Sequence, residues 1–123
     1  MRVSLALLLV TVCAPALAAS PAYEKCVGSI DMAGLTGSQR LDCATTDMDR
    51  ADRQLNDTYR ETMARLPPQR RSALRQEERA WIDRRKATCA IERQPAEPSR
   101  DVARMLCLVR ESDARTEALR AYR

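Results

Sequence analysis

Residues 46–66 read TDMDRADRQLNDTYRETMARL, and this stretch decides the fold. Its apolar side chains recur at steps of three or four residues, at Met48, Ala51, Leu55, Tyr59, Met63 and Leu66. That spacing predicts one face of an amphipathic α-helix. Thr46 with Asp49 three residues later resembles a capping box at the start of the helix. Pro67-Pro68 predicts its end.

Two more helices are predicted downstream. The second begins at the proline pair and continues to about Arg93, with an inner face formed by Leu74, Trp81, Ile82 and Cys89. The proline-containing segment 94–98 then interrupts the chain, and Ser99 is a predicted N-cap for the third helix. The inner face of that helix is formed by Val102, Leu106, Val109, Thr116 and Leu119. We therefore expect an all-α fold, a small antiparallel three-helix bundle over residues 43–123 that follows an irregular lead-in over residues 19–42.

The first residues of the chain predict export. A basic start, an apolar run over residues 3–12 and a small-x-small end at residues 16–18 are the parts of a secretory signal peptide. We place cleavage between Ala18 and Ala19. A membrane anchor is the alternative, but Pro15 interrupts the run before the roughly 20 apolar residues that a span needs. The mature chain is thus expected to be periplasmic or secreted, with no membrane span after cleavage.

Four cysteines would remain after cleavage: Cys26, Cys43, Cys89 and Cys107. An even number in a small exported chain predicts two disulfides. We favour Cys26–Cys43 and Cys89–Cys107, because each closes a short loop and would contribute about 3 kcal/mol. An up-down-up arrangement also permits Cys43–Cys89, so the pairing stays open. The chain has no histidine and no Cys-x-x-Cys spacing, so we expect neither a metal nor a cofactor.

Several motif residues follow one another in order along the predicted helices. They are Leu55, Asn56, Tyr59, Arg75, Arg79, Trp81, Ile82, Arg85 and Arg115. Together with the four cysteines behind a signal peptide, this set resembles the lysozyme-inhibitor LprI-type N-terminal domain of bacterial envelope proteins, over about residues 43–120. The resemblance implies a helical domain, with inhibition of lysozyme attributed to a founding member. The sequence departs from the family around Arg85, where Lys86 follows in place of the usual aspartate.

Residue types argue against an enzyme. Histidine, the commonest general base, is missing. The cysteines are expected to be oxidised, which removes thiolate nucleophiles. Acidic residues alternate with arginines at helical spacing, as in Glu111 with Arg115, and this pattern is typical of a solvated helix face. We therefore expect no catalytic residues.

The resemblance favours an exported small binding protein that acts by protein–protein occlusion, with lysozyme or another envelope protein as its partner. Removal of Arg2 with the signal peptide lowers the net charge from +4 to +3. Because C-type lysozymes are themselves cationic, this charge does not favour long-range attraction. Local complementarity would come from an acidic patch at Asp47, Asp49 and Asp52, or from a protruding arginine that enters the acidic cleft of the enzyme.

A structural or adaptor protein of the envelope is the alternative function. Arginine-rich helix faces, for example at Arg70-Arg71, would then contact an anionic glycan or lipid, although a solvated surface is the simpler interpretation. Trp81 is interpreted as a core residue rather than an interface anchor, because it continues the inner face from Leu74. Nucleic acid is not an expected partner, because basic residues do not alternate with aromatic ones.

Overall fold

The computed structural model describes residues 19–31, 33–96 and 99–123; the predicted signal peptide lies outside these ranges. The described chain is all-helical, without a β-strand, and contains four α-helices where three were expected. Their bounds are α1 Pro21–Gly28, α2 Gly37–Arg65, α3 Pro68–Thr88 and α4 Arg100–Arg120, with a 3₁₀ turn at Ile91–Arg93. No helix in these ranges has the length and apolar character that a membrane crossing requires.

The lead-in expected to be irregular contains α1. Ser20 caps this helix, accepting a hydrogen bond on Oγ from the backbone N–H of Tyr23 at 3.2 Å. Pro21 occupies the first turn, where its missing N–H costs nothing. Tyr23 and Val27 are buried, and Cys26 lies between them on the helix. A helix this short is marginal alone, so burial and the disulfide at Cys26 hold it in place.

Helix α2 begins earlier than predicted, at Gly37 rather than near Thr46. Its capping box is formed by Thr36 and Gln39: the backbone N–H of Gln39 donates to Thr36 Oγ1 at 3.2 Å, and the backbone N–H of Thr36 donates to Gln39 Oε1 at 2.8 Å. The pair Thr46 and Asp49 therefore lies inside the helix. With 29 residues, α2 is about 43 Å long.

Helices α2 and α4 run parallel and form the main interface of the fold. Buried residues recur at seven-residue steps on both helices, at Ala44, Ala51 and Thr58 on α2 and at Val102, Val109 and Thr116 on α4. Seven-residue repeats of this kind are typical of helices that pack at a shallow angle. The side chains are small, which lets the two helices approach closely.

Helix α3 returns antiparallel from the end of α2 and ends at Thr88, five residues before the expected end at Arg93. It is buried mainly through Leu74 and Trp81, which are 0% and 8% exposed. Ile82 was expected on the inner face but is 40% exposed, so that assignment is wrong. Helix α3 makes little backbone contact with α2, and a groove separates them.

Two buried clusters lie at opposite ends of the α2–α4 pair. The first joins α1 to the start of α2 and α4, through Tyr23, Val27, Cys43, Ala44 and Val102. The second joins α3 to the later parts of α2 and α4, through Leu55, Leu66, Leu74, Trp81 and Leu119. Because α1 and α3 cover different ends, each contributes to its own part of the core.

The disulfides pair Cys26 with Cys43 and Cys89 with Cys107. This is the pairing favoured above, and it excludes Cys43–Cys89. The first bond ties α1 to α2, and the second ties the end of α3 to α4. Each therefore holds a peripheral helix against the central pair.

Candidate functional site

A groove of about 410 Å³ lies between α2 and α3. We call it the α2/α3 groove and define it by the residues that line it: Asp52, Leu55, Asn56, Tyr59, Arg75, Glu78, Arg79, Trp81, Ile82 and Arg85. Residues three or four apart lie on one face of a helix, so α2 supplies one wall and α3 the other.

Eight of the nine motif residues named from the sequence line this groove: Leu55, Asn56, Tyr59, Arg75, Arg79, Trp81, Ile82 and Arg85. The ninth, Arg115, lies on α4 behind the groove. Two lining residues, Asp52 and Glu78, were not part of the motif. Their spacing of three residues from Leu55 and Arg75 would have placed them on the same helix faces.

Trp81 forms part of the groove floor and also belongs to the second buried cluster. Trp81 is 8% exposed, so the interpretation as a core residue is confirmed. The guanidinium carbon of Arg85 lies 4.8 Å from the ring centroid, and that of Arg115 lies 5.9 Å from it. Both distances suit cation–π attraction, so Trp81 helps to fix two arginines.

Arg85 connects all three long helices at the end of the groove. Its Nη1 donates to Asp52 Oδ1 on α2 at 3.2 Å and to Ser112 Oγ on α4 at 2.9 Å. Its side chain is 17% exposed, and its buried Nε meets no hydrogen-bond acceptor in the described part of the chain. The salt bridge neutralises Asp52 as a groove charge.

Arg115 holds the other groove carboxylate, that of Glu78. Its Nε donates to Glu78 Oε2 at 2.8 Å, and its Nη2 lies at the same distance from that oxygen. Nη2 lacks an aligned acceptor, so Nε carries the hydrogen bond and Nη2 adds charge attraction. The sequence paired Arg115 with Glu111, but the structure pairs it with α3. Arg115 on α4 thus positions the Glu78 side chain of α3 from the side away from the groove opening.

The groove rim is formed by exposed motif residues: Asn56, Arg75, Arg79 and Ile82. Neither Arg75 nor Arg79 forms an ion pair or a side-chain hydrogen bond with another residue of the described ranges. With Asp52 and Glu78 already paired, these two guanidinium groups leave the rim positively charged.

The predicted acidic patch does not form, because Asp47 is buried with a side chain that is 1% exposed. Its carboxylate accepts hydrogen bonds from the Ser20 hydroxyl and, at 2.7 Å, from Arg50 Nε. The same guanidinium donates to Asp113 on α4 at 2.9 and 3.2 Å. The hydrogen bonds to Asp113 and Asp47 outweigh partial burial and raise the pKa of Arg50 above its ordinary value. This network joins α2 to α4 and the start of α1.

With this geometry established, one comparison assigns the chain to a family. The sequence profile of the family described as lysozyme inhibitor LprI matches residues 32–119. The chain belongs to the LprI family. The match covers α2, α3 and all but the last residue of α4, and therefore both walls of the groove, while α1 and Cys26 precede it. No curated protein and no solved structure matches the chain.

Proposed function

We propose that this LprI-family protein is exported, is cleaved between Ala18 and Ala19, and binds a lysozyme or another envelope protein through the α2/α3 groove. Inhibition follows from occlusion: the helical domain covers the substrate cleft of the enzyme and performs no chemistry itself. The family match supports the lysozyme-inhibitor character of the protein, and the two disulfides suit an oxidising compartment outside the cytoplasm.

The exposure of its motif residues is the observation that supports the groove as the contact surface. Asn56, Arg75, Arg79 and Ile82 are all exposed, so packing of the core does not require these residue types. Exposed polar, charged or apolar residues that form part of a family motif point to binding. A concave wall with an apolar floor and charged rim suits a protruding segment of a partner.

Inhibition assays on the purified, exported chain test this proposal. The wild-type protein should inhibit at least one lysozyme among C-type and G-type enzymes at stoichiometric excess. Ile82→Ser should weaken inhibition about tenfold, because it removes an apolar side chain from the proposed contact surface. No inhibition of any lysozyme would overturn the inhibitor function.

Ile91→Ser is the matched control. Ile82 and Ile91 are both large, exposed apolar residues, 40% and 38% exposed, but only Ile82 lines the groove. The control variant should inhibit as strongly as wild type. If both variants weaken inhibition equally, the groove is not the contact surface.

A further inference from the structure

We infer that the α2/α3 groove binds an extended segment of a partner protein that carries two carboxylates at alternate positions. This inference rests on the proposed function only in taking the groove as the contact surface. It adds the chemistry of the occupant, which is recognised by Arg75 and Arg79.

The rim of the groove is positively charged. The acidic groove residues are both engaged, Asp52 with Arg85 at 3.2 Å and Glu78 with Arg115 at 2.8 Å. Arg75 and Arg79 lack acidic partners within the described ranges. Guanidinium groups bind carboxylates through paired, charge-assisted hydrogen bonds. The occupant that complements this rim is therefore an acidic one.

The length of the groove sets the length of the occupant. On α3 the lining runs from Arg75 to Arg85, a rise of about 15 Å. An extended chain advances about 3.3 Å per residue, so about five residues of an extended segment span the groove.

The spacing of the two arginines along α3 matches the spacing of side chains in an extended segment. Arg75 and Arg79 are one turn apart on the same face of α3, which separates them by about 6 Å along the helix. In an extended segment, residues i and i+2 point the same way and lie about 6.6 Å apart. Two carboxylates separated by one residue can therefore meet both arginines at once, whereas adjacent carboxylates point to opposite sides.

The groove continues beyond Arg75 in the same direction. A neighbouring depression of about 420 Å³ shares Tyr59 and Arg75 with it and is also lined by Met63 and Arg71. Its apolar and basic residues repeat the character of the first part. Arg71 donates to the Leu66 carbonyl at 2.7 Å, so Arg75 and Arg79 remain the free pair.

A peptide titration followed by NMR tests the inference without any lysozyme. The probes are two capped five-residue peptides of equal composition, one with glutamates at positions two and four, the other with glutamates at positions two and three. The full exported chain should bind the first peptide about threefold more tightly, the effect of one added exposed ion pair. The arginine Nε–H resonances of Arg75 and Arg79 should shift during the titration.

Variants that remove arginine charges provide a second test of the inference. The double variant Arg75→Gln/Arg79→Gln should bind the alternating peptide about tenfold more weakly. Arg84→Gln is the matched control, since Arg84 is exposed on the same helix outside the groove, and it should bind like wild type. Circular dichroism should give all variants the same unfolding midpoint.

Three results would overturn the inference: equal affinity for the two peptides, an equal loss with Arg84→Gln, or a response of Arg75 and Arg79 to anionic phospholipid vesicles but not to either peptide. Peptide binding without lysozyme inhibition would refute the proposed inhibitor function while leaving the carboxylate site standing. Inhibition of lysozyme without discrimination between the two peptides would refute the carboxylate site while leaving the proposed inhibitor function standing.

Discussion

The ion pair between Arg115 and Glu78 should contribute measurably to stability, although it joins only two side chains across α3 and α4. Glu78→Gln removes the carboxylate charge and leaves a guanidinium that is 13% exposed without its partner. Removing one partner from a fully buried pair costs about 3–5 kcal/mol, and exposed pairs contribute about 0.2–1 kcal/mol. For a pair in which both side chains are 13% exposed, we expect a loss of about 2 kcal/mol.

Urea unfolding followed by circular dichroism measures this loss, and a double-mutant cycle isolates the pair. The cycle compares Glu78→Gln, Arg115→Met and the double variant. Because the double variant leaves no unpaired charge, the coupling energy should be about 1.5 kcal/mol. Contacts that Arg115 makes with Trp81 cancel in the cycle. In thermal unfolding, Glu78→Gln should lower Tm by about 10 °C.

A second cycle on Arg110 and Glu111 serves as the control. These side chains are 3.9 Å apart and 41% and 31% exposed, so their coupling should stay below about 0.3 kcal/mol. A coupling between Arg115 and Glu78 no larger than that of the control would refute the assignment of Arg115 as the residue that positions Glu78.

Three further measurements test the fold. Leu74→Ala should lower the free energy of unfolding by about 3 kcal/mol in urea titrations, because Leu74 is 0% exposed; a loss under about 1 kcal/mol would contradict its place in the core. Replacing Cys89 and Cys107 together with alanine should cost about 3 kcal/mol, since they are 18 residues apart, and an unchanged unfolding midpoint would contradict this. Desolvation, followed by the hydrogen bond donated to Glu77, raises the pKa of Tyr122 above 10.0; a phenolate absorbance titration should show this, and Glu77→Gln should lower that pKa. Because the folded-state pKa is the higher one, the stabilisation is complete below pH about 10 and is lost as pH rises through the folded-state value.

Large apolar residues made α2 predictable from the sequence. Leu55, Tyr59 and Met63 recur at four-residue steps, and these positions face α3 and the second cluster. The proline pair after Leu66 separates α2 from α3 as predicted. The stripe of α2 that packs against α4 was predicted only at Ala51. Its other buried residues are small or polar, such as Thr58 and Thr62, and hydrophobic periodicity does not register them.

The start of α2 shows how a plausible local signal misleads. Thr46 and Asp49 have the residue types of a capping box, yet the helix passes through them because Thr36 and Gln39 form the box that caps it. Asp47 was likewise assigned to the surface because aspartate is mostly exposed. Its burial depends on Arg50 and on the Ser20 hydroxyl, 27 residues away, and no local pattern contains that partner.

The residues that line the groove could be predicted from the sequence, but the presence of a groove could not. Helical spacing places Leu55, Asn56 and Tyr59 on one face of α2 and Arg75, Arg79 and Ile82 on one face of α3. From the sequence we expected α2 and α3 to be neighbours that pack directly against each other in a bundle, which would have closed the space between them. Helix α3 is buried only through Leu74 and Trp81, and Trp81 itself forms part of the groove floor. This tertiary arrangement leaves the groove open, and residue spacing does not encode it.

The two buried clusters divide the molecule into two regions that can unfold locally and independently. The first depends on α1 and the Cys26–Cys43 bond, the second on α3 and the Cys89–Cys107 bond. Regions with their own core contacts open with their own free energies. Release of α1 would leave both walls of the groove in place, so amide protons of α3 would stay protected while those of α1 exchange. Rigidity of the α2/α3 groove is thus independent of order at the amino-terminal end.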